Sequence, residues 1–130
     1  MSTTSLRRDH ELIEKVIKAM QSTIELLNNG KQIPESILLP VIDFSKNFTD
    51  VCHHTKEEKS LFPALEQAGM PTKMGPIAMM LIDHQRSREI GNEMENSAKE
   101  YLSSGNSEKL ISDMQLYVDH ITEHLWKENN

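Results

Sequence analysis

Apolar residues recur every three or four positions along almost the whole chain, and stretches that alternate with a period of two are nearly absent. That pattern specifies amphipathic helices rather than strands. The first stripe reads Leu6, His10, Ile13, Ile17, Met20, Ile24 and Leu27, which predicts a helix from near Ser5 to a stop at Asn28-Asn29-Gly30. A second helix is expected after the loop Lys31 to Pro34. It has Pro34 or Pro40 in its opening turn and a break at Pro63, and Gly69-Met70-Pro71 closes the segment. Gly75-Pro76 opens a third, whose inward stripe is Ile77, Leu81, His84, Gly91, Ala98 and Leu102. Ser103-Ser104-Gly105-Asn106 makes the next turn and Ser107 is placed to cap a fourth helix, with Leu110, Met114, Tyr117, Ile121, His124 and Glu128 along one face. Four helices joined by short loops predict an all-α, up-down-up-down antiparallel four-helix bundle, a single domain over residues 1–130.

Composition narrows the class. Three Phe, two Tyr and one Trp against eight Met suit a helical core filled by Leu, Ile and Met. A net charge of −6 argues against nucleic acid or an anionic membrane as partner. Cys52 is the one cysteine, so an intrachain disulfide is excluded and a reducing cytoplasm is the expected location. No stretch approaches the ~20 apolar residues of a membrane span, and the first residues lack the apolar region of a signal peptide.

The stripes carry polar residues that a core does not ordinarily hold. Asp9-His10, His53-x-x-x-Glu57, Asp83-His84 and His124-x-x-x-Glu128 lie one per predicted helix, and all six histidines fall in these segments or one turn from them. Residues four apart lie on one helix face, so each His-x-x-x-Glu pair offers an imidazole and a carboxylate to the same point. His54 and Glu58 form a second pair of the same spacing, and periodicity does not choose between the two registers. The segments also echo one another, with 43 residues from His10 to His53 and 40 from His84 to His124. Four imidazoles and two carboxylates buried without partners would cost about 1–3 kcal/mol each. Together that rivals the whole stability of a domain, roughly 5–15 kcal/mol. Metal ligation resolves the conflict. Nitrogen and oxygen donors without thiolate favour iron, then manganese, and six donors are too many for a closed structural zinc site.

These residues carry a resemblance. Leu6-Arg7-Arg8-Asp9-His10-Glu11, His53-His54-Thr55-Lys56-Glu57-Glu58 followed by Leu61-Phe62-Pro63-Ala64-Leu65, then Gly75-Pro76-Ile77, Asp83-His84 and His124-Leu125-Trp126-Lys127-Glu128 resemble the hemerythrin-like, HHE cation-binding family across essentially the whole chain. The resemblance implies a four-helix bundle around two iron ions, a non-haem di-iron centre with an oxo or hydroxo bridge. It implies His10, His53, His84 and His124 as terminal ligands, and Glu57 and Glu128 as bridging ones. Carboxylates outside this set that orient the imidazoles are expected, though the sequence does not assign them. Oxygen-carrying hemerythrins have a second histidine one turn from that of the third helix. Here Met80 and Arg88 flank His84, which counts against reversible oxygen transport. His54 is a candidate extra ligand, as the adjacent position is in iron-sensing relatives, and His120, one turn before His124, is a candidate ligand or proton relay. Relatives usually continue beyond the last glutamate with an apolar segment, whereas two residues follow Glu128 here. Cys52 reads as a packed small residue.

The expected function is therefore the binding of a small oxidant (dioxygen, nitric oxide or peroxide) at an open iron position, for sensing, storage or detoxification. Its rivals are a di-iron enzyme of peroxide or nitric oxide reduction or iron–sulfur repair, an iron-sensing regulatory module that a protein partner or a second copy reads, and a metal-free helical module.

Overall fold

A computed structural model of the chain describes residues 3–54, 57–70 and 75–129; the side chains at 3–7, 49–53, 60, 76 and 127–129 lie outside the described set. All described regular structure is helical: α1 (Thr3–Asn28), α2 (Glu35–Phe44), a π-helical stretch π1 (Ser45–His54), a second, π2 (Glu57–Leu61), then α3 (Phe62–Gln67), α4 (Pro76–Ser104) and α5 (Glu108–Asn129). None of these helices is long and apolar enough to cross a membrane.

The helix ends follow from local chemistry. After α1, Gly30 takes φ +77°, the Gly30 N–H donates to Leu27 O at 3.1 Å and the Lys31 N–H to Leu26 O at 3.0 Å. This paired closure of orphan carbonyls needs a left-handed residue, which glycine adopts without a Cβ penalty. α4 ends on Gly105 at φ +80°, its N–H donating to Tyr101 O at 2.8 Å. Ser107 stands just before α5, but the side chain that receives the first amide is that of Asn106, whose Oδ1 accepts from Glu108 N–H at 3.1 Å.

The expected second helix is the element the structure redraws. Pro34 precedes α2 and Pro40 lies inside it, and the chain then widens into π winding for most of the way to Leu61. Pro63 sits in the first turn of α3, where its missing N–H and fixed φ are tolerated. The break therefore falls just before Phe62 rather than at the proline itself. Shifting acceptors from the fourth to the fifth residue leaves carbonyls available to side chains, and the buried Tyr117 hydroxyl donates to Ser45 O at 3.1 Å, the first residue of π1.

Packing joins α1 to α5, α5 to α4, α4 to α2 and π1, and π1 back to α1. His124 meets Asp83 and Lys109 meets Glu93, so α4 and α5 run antiparallel. The predicted stripes are the core: Ile13, Ile17, Met20, Ile24 and Leu27 from α1, Ile77, Gly91 and Ala98 from α4, and Leu110, Met114, Tyr117 and Ile121 from α5 are all buried. Leu81 and Leu102 are only partly so, and Leu6 lies outside the described side chains. Leu38 and Ile42 of α2 and Ile90 and Met94 of α4 complete the core.

Lys46 of π1 donates to Glu95 of α4 at 2.8 Å. That hydrogen bond, with a smaller contribution from Lys99, holds the Glu95 carboxyl below its ordinary value. The link therefore supports the fold above the unfolded-chain pKa and weakens as pH falls through the lowered one. The Lys46 stem also covers Gly91, where an added methyl group would lie 3.4 Å from Lys46 Cγ and 3.7 Å from Tyr117 Cε2. Gly91 has ordinary helical dihedrals, so Gly91→Ala should recover helix propensity, about 1 kcal/mol, against a contact with a flexible side chain. Urea unfolding should show a gain of up to about that size; a loss would mean that the Lys46–Glu95 link holds the stem too rigidly to move.

Candidate metal centre

Four side chains from three parts of the chain meet at the end of the bundle away from the Gly105 turn. His54 closes π1, Glu57 opens π2, His84 lies two turns into α4 and His124 lies near the end of α5. One donor atom from each lies within 4.8 Å of the others. All four are buried, with His54 and His84 at 0 % exposure and Glu57 and His124 at 1 %. His84 Nε2 is 3.7 Å from Glu57 Oε1.

The rings are closely set. The His54 and His84 planes are 8° apart with centroids at 3.9 Å, and His124 stands edge-on to both at 5.1 and 4.9 Å. Phe62, the first residue of α3, lies against His84 at 5.8 Å. Two protonated imidazoles that close would repel by about 4 kcal/mol even at an effective dielectric near 20. Neutral rings avoid this, and neutral imidazole is the form that ligates a metal.

Carboxylates stand behind two of the imidazoles. Glu58 Oε2 is 3.0 Å from His84 Nδ1, and Asp83 Oδ2 is 3.4 Å from His124 Nδ1. An ionised carboxylate only accepts, so the facing Nδ1 carries the proton and Nε2 keeps its lone pair for the interior. This is the arrangement that orients and strengthens metal-bound histidine. Arg88 in turn donates to Glu58.

The donor set suits a cation. Donors about 2.1 Å from one ion lie at most about 4.2 Å apart, so the quartet has to contract by only some tenths of an ångström to close on one. Three imidazoles and one carboxylate, with no thiolate, are a nitrogen and oxygen donor set suited to a divalent transition-metal cation.

The residues expected from sequence are distributed as follows. Glu57, His84 and His124 are brought together. His10 is buried on α1 at 7 % exposure but stands outside the quartet. The side chains of His53 and Glu128 lie outside the described residues, as does that of Cys52. Among the described residues, His54, the adjacent candidate, supplies the quartet's imidazole from that segment; it is three residues before Glu57, a spacing that shares a helix face as well as four does. His120 is not in the quartet, and its Nε2 lies 3.0 Å from the Asp83 carbonyl, to which it donates. The two outer carboxylates went unassigned from sequence, although each sits beside a ligand candidate: Glu58 follows Glu57, and Asp83 precedes His84 yet serves His124.

The model of the family described as Hemerythrin HHE cation binding domain matches residues 1–130. The chain belongs to that family. Neither the curated proteins nor the solved structures gave a match. Family membership and the His54, Glu57, His84 and His124 cluster together identify this HHE domain as a cation-binding helical protein.

Removing an outer carboxylate should weaken the metal without removing a ligand. Asp83→Asn is expected to lower metal affinity by about 10- to 100-fold, read by competition with a chromophoric chelator. Affinity within twofold of the parent would show that Asp83 does not orient His124.

Proposed function

We propose that this HHE domain holds two iron ions and uses them to bind a small oxidant (dioxygen, nitric oxide or peroxide) in sensing, storage or detoxification. The observation that carries the reading is the convergence of three imidazoles and one carboxylate in a space closed to solvent. The quartet suffices for one ion. The second would draw on His10, buried on α1, and on His53 and Glu128, with Glu57 and Glu128 spanning the pair. Iron in such a site supplies a one-electron couple and coordination positions open to a small ligand.

The chain's own residues have separable tasks in this reading. His54, His84, His124 and Glu57 bind. Asp83 and Glu58 fix which imidazole nitrogen faces inward. Phe62, buried and stacked 5.8 Å from His84, shields that imidazole from bulk water. Met80 and Arg88 stand one turn either side of His84, where a further histidine would suit an oxygen carrier, so the reading favours sensing or consumption over transport.

The test is a metal-to-protein ratio with absorption spectra under air and under argon. Two irons per chain and oxidant-dependent bands in the near ultraviolet are expected; a chain that takes up no iron, or whose spectrum ignores oxygen, nitric oxide and peroxide alike, defeats the reading. Loss of the metal should also be visible as stability. At iron 1,000-fold above its dissociation constant, binding contributes about 4 kcal/mol. Chelation should then lower the melting temperature by roughly 10–20 °C for a domain of this size.

A further inference from the structure

One oxygen of Glu58 carries two contacts. Its Oε2 lies 3.0 Å from His84 Nδ1 and accepts from a guanidinium nitrogen of Arg88. His84 and Arg88 are four residues apart on α4, so they share a face and reach the same carboxylate on π2 from adjacent turns. The Arg88 and Glu58 side chains are 33 % and 25 % exposed. An ion pair with that much solvent access adds little to folding, so stability does not account for it. What distinguishes it is the shared oxygen. A glutamate has three rotatable bonds and one turn of freedom to reach solvent, and the arginine removes that freedom where the carboxylate meets the imidazole.

We propose that Arg88 is a positioning residue of the metal centre, acting through Glu58: it keeps that carboxylate aimed at His84 Nδ1, and so keeps His84 Nε2 turned to the cation. The inference rests on the metal reading above and adds to it a residue outside the quartet. The planar guanidinium matters as well as its charge, since a lysine ammonium is a point donor on a mobile stem.

The experiment measures ferrous iron affinity under argon by chelator competition, in the full chain, for Arg88→Met, Arg88→Lys, Glu58→Gln and the double variant Arg88→Met/Glu58→Gln. Arg88→Met and Glu58→Gln should each weaken binding by about 10- to 100-fold, the range for partners of metal-bound histidine. Arg88→Lys should recover part of the loss. The double variant should be within about twofold of Glu58→Gln alone, because residues acting through one contact are not additive. Losses that multiply, or Arg88→Met within twofold of the parent, overturn the proposal.

A second readout needs no metal. In the metal-free protein, nitrogen-15 spectra should place the His84 proton on Nδ1, and both Arg88→Met and Glu58→Gln should shift it toward Nε2. An unchanged tautomer in Arg88→Met overturns the proposal even if affinity falls. Should Arg88→Met fail to fold by circular dichroism, Arg88→Gln takes its place under the same criteria. Arg86→Met, at a more exposed pair with Glu89, is the control and should change neither readout. If the parent chain bound no iron the functional reading would fail by itself, while the His84 tautomer would still decide the role of Arg88.

Discussion

Everything at one end of this bundle depends on placing three imidazoles and a carboxylate in the same buried space. Polar groups taken out of water lose their hydration and must be offset by hydrogen bonds or by charge. The protein offers both. Glu58 and Asp83 approach the Nδ1 side of His84 and His124, and the convergence of His54, Glu57, His84 and His124 makes a donor set whose natural complement is a positive ion. His84 and His124 are thereby given a direction, which a hydrophobic core alone would not impose. The outer carboxylates are then as much a part of the centre as the quartet, because a ring free to rotate would present the wrong nitrogen.

The helical ends and faces were legible because they are local. Glycine at a left-handed position stops a helix whatever surrounds it, and Gly30 and Gly105 both do. The apolar period of three to four residues put Ile13 to Leu27 and Leu110 to Ile121 inside, as found. The centre was legible in outline for the same reason, since histidine on an apolar stripe is read from the same period. What was not legible required tertiary information. His53 and His54 lie on adjacent faces of a helix, and spacing to Glu57 or Glu58 serves either. The winding of the real chain brings His54 and Glu57 inward and sends Glu58 to His84, while the His53 side chain lies outside the described residues. Asp83 meets a histidine 41 residues away, and no local pattern encodes that partner.

The π winding belongs to the same lesson. Nothing in the propensities of Ser45 to Leu61 calls for it, and a proline inside α2 explains only why the preceding turn is imperfect. Tertiary ties hold it instead: Tyr117 from α5 takes the Ser45 carbonyl, and Lys46 reaches across to Glu95 on α4. π-Helical turns recur at functional sites because an inserted residue redirects side chains without ending the helix. Here the segment that departs from α geometry is the one that delivers His54 and Glu57.

The bundle divides its labour along its length. Met20, Leu38, Met94, Ala98, Leu110 and Met114 are fully buried toward the end with the Gly30 and Gly105 turns, where apolar contacts meet no competing polar demand. His54, Glu57, His84 and His124 occupy the other end, with Phe62 against His84. Core packing of the first kind is stiff, because close-packed interiors resist small displacements. A site is best built against such a platform, since the donors need placement within fractions of an ångström while the ligand must still enter. α4 and α5 run through both halves, so the rigid end sets the angle at which His84 and His124 reach the centre. The segments that arrive from one side only, π1 and π2, are the ones whose placement the outer charges Lys46, Glu95, Glu58 and Arg88 must secure. Surface pairs that add little to global stability therefore sit where local register decides whether the donors converge.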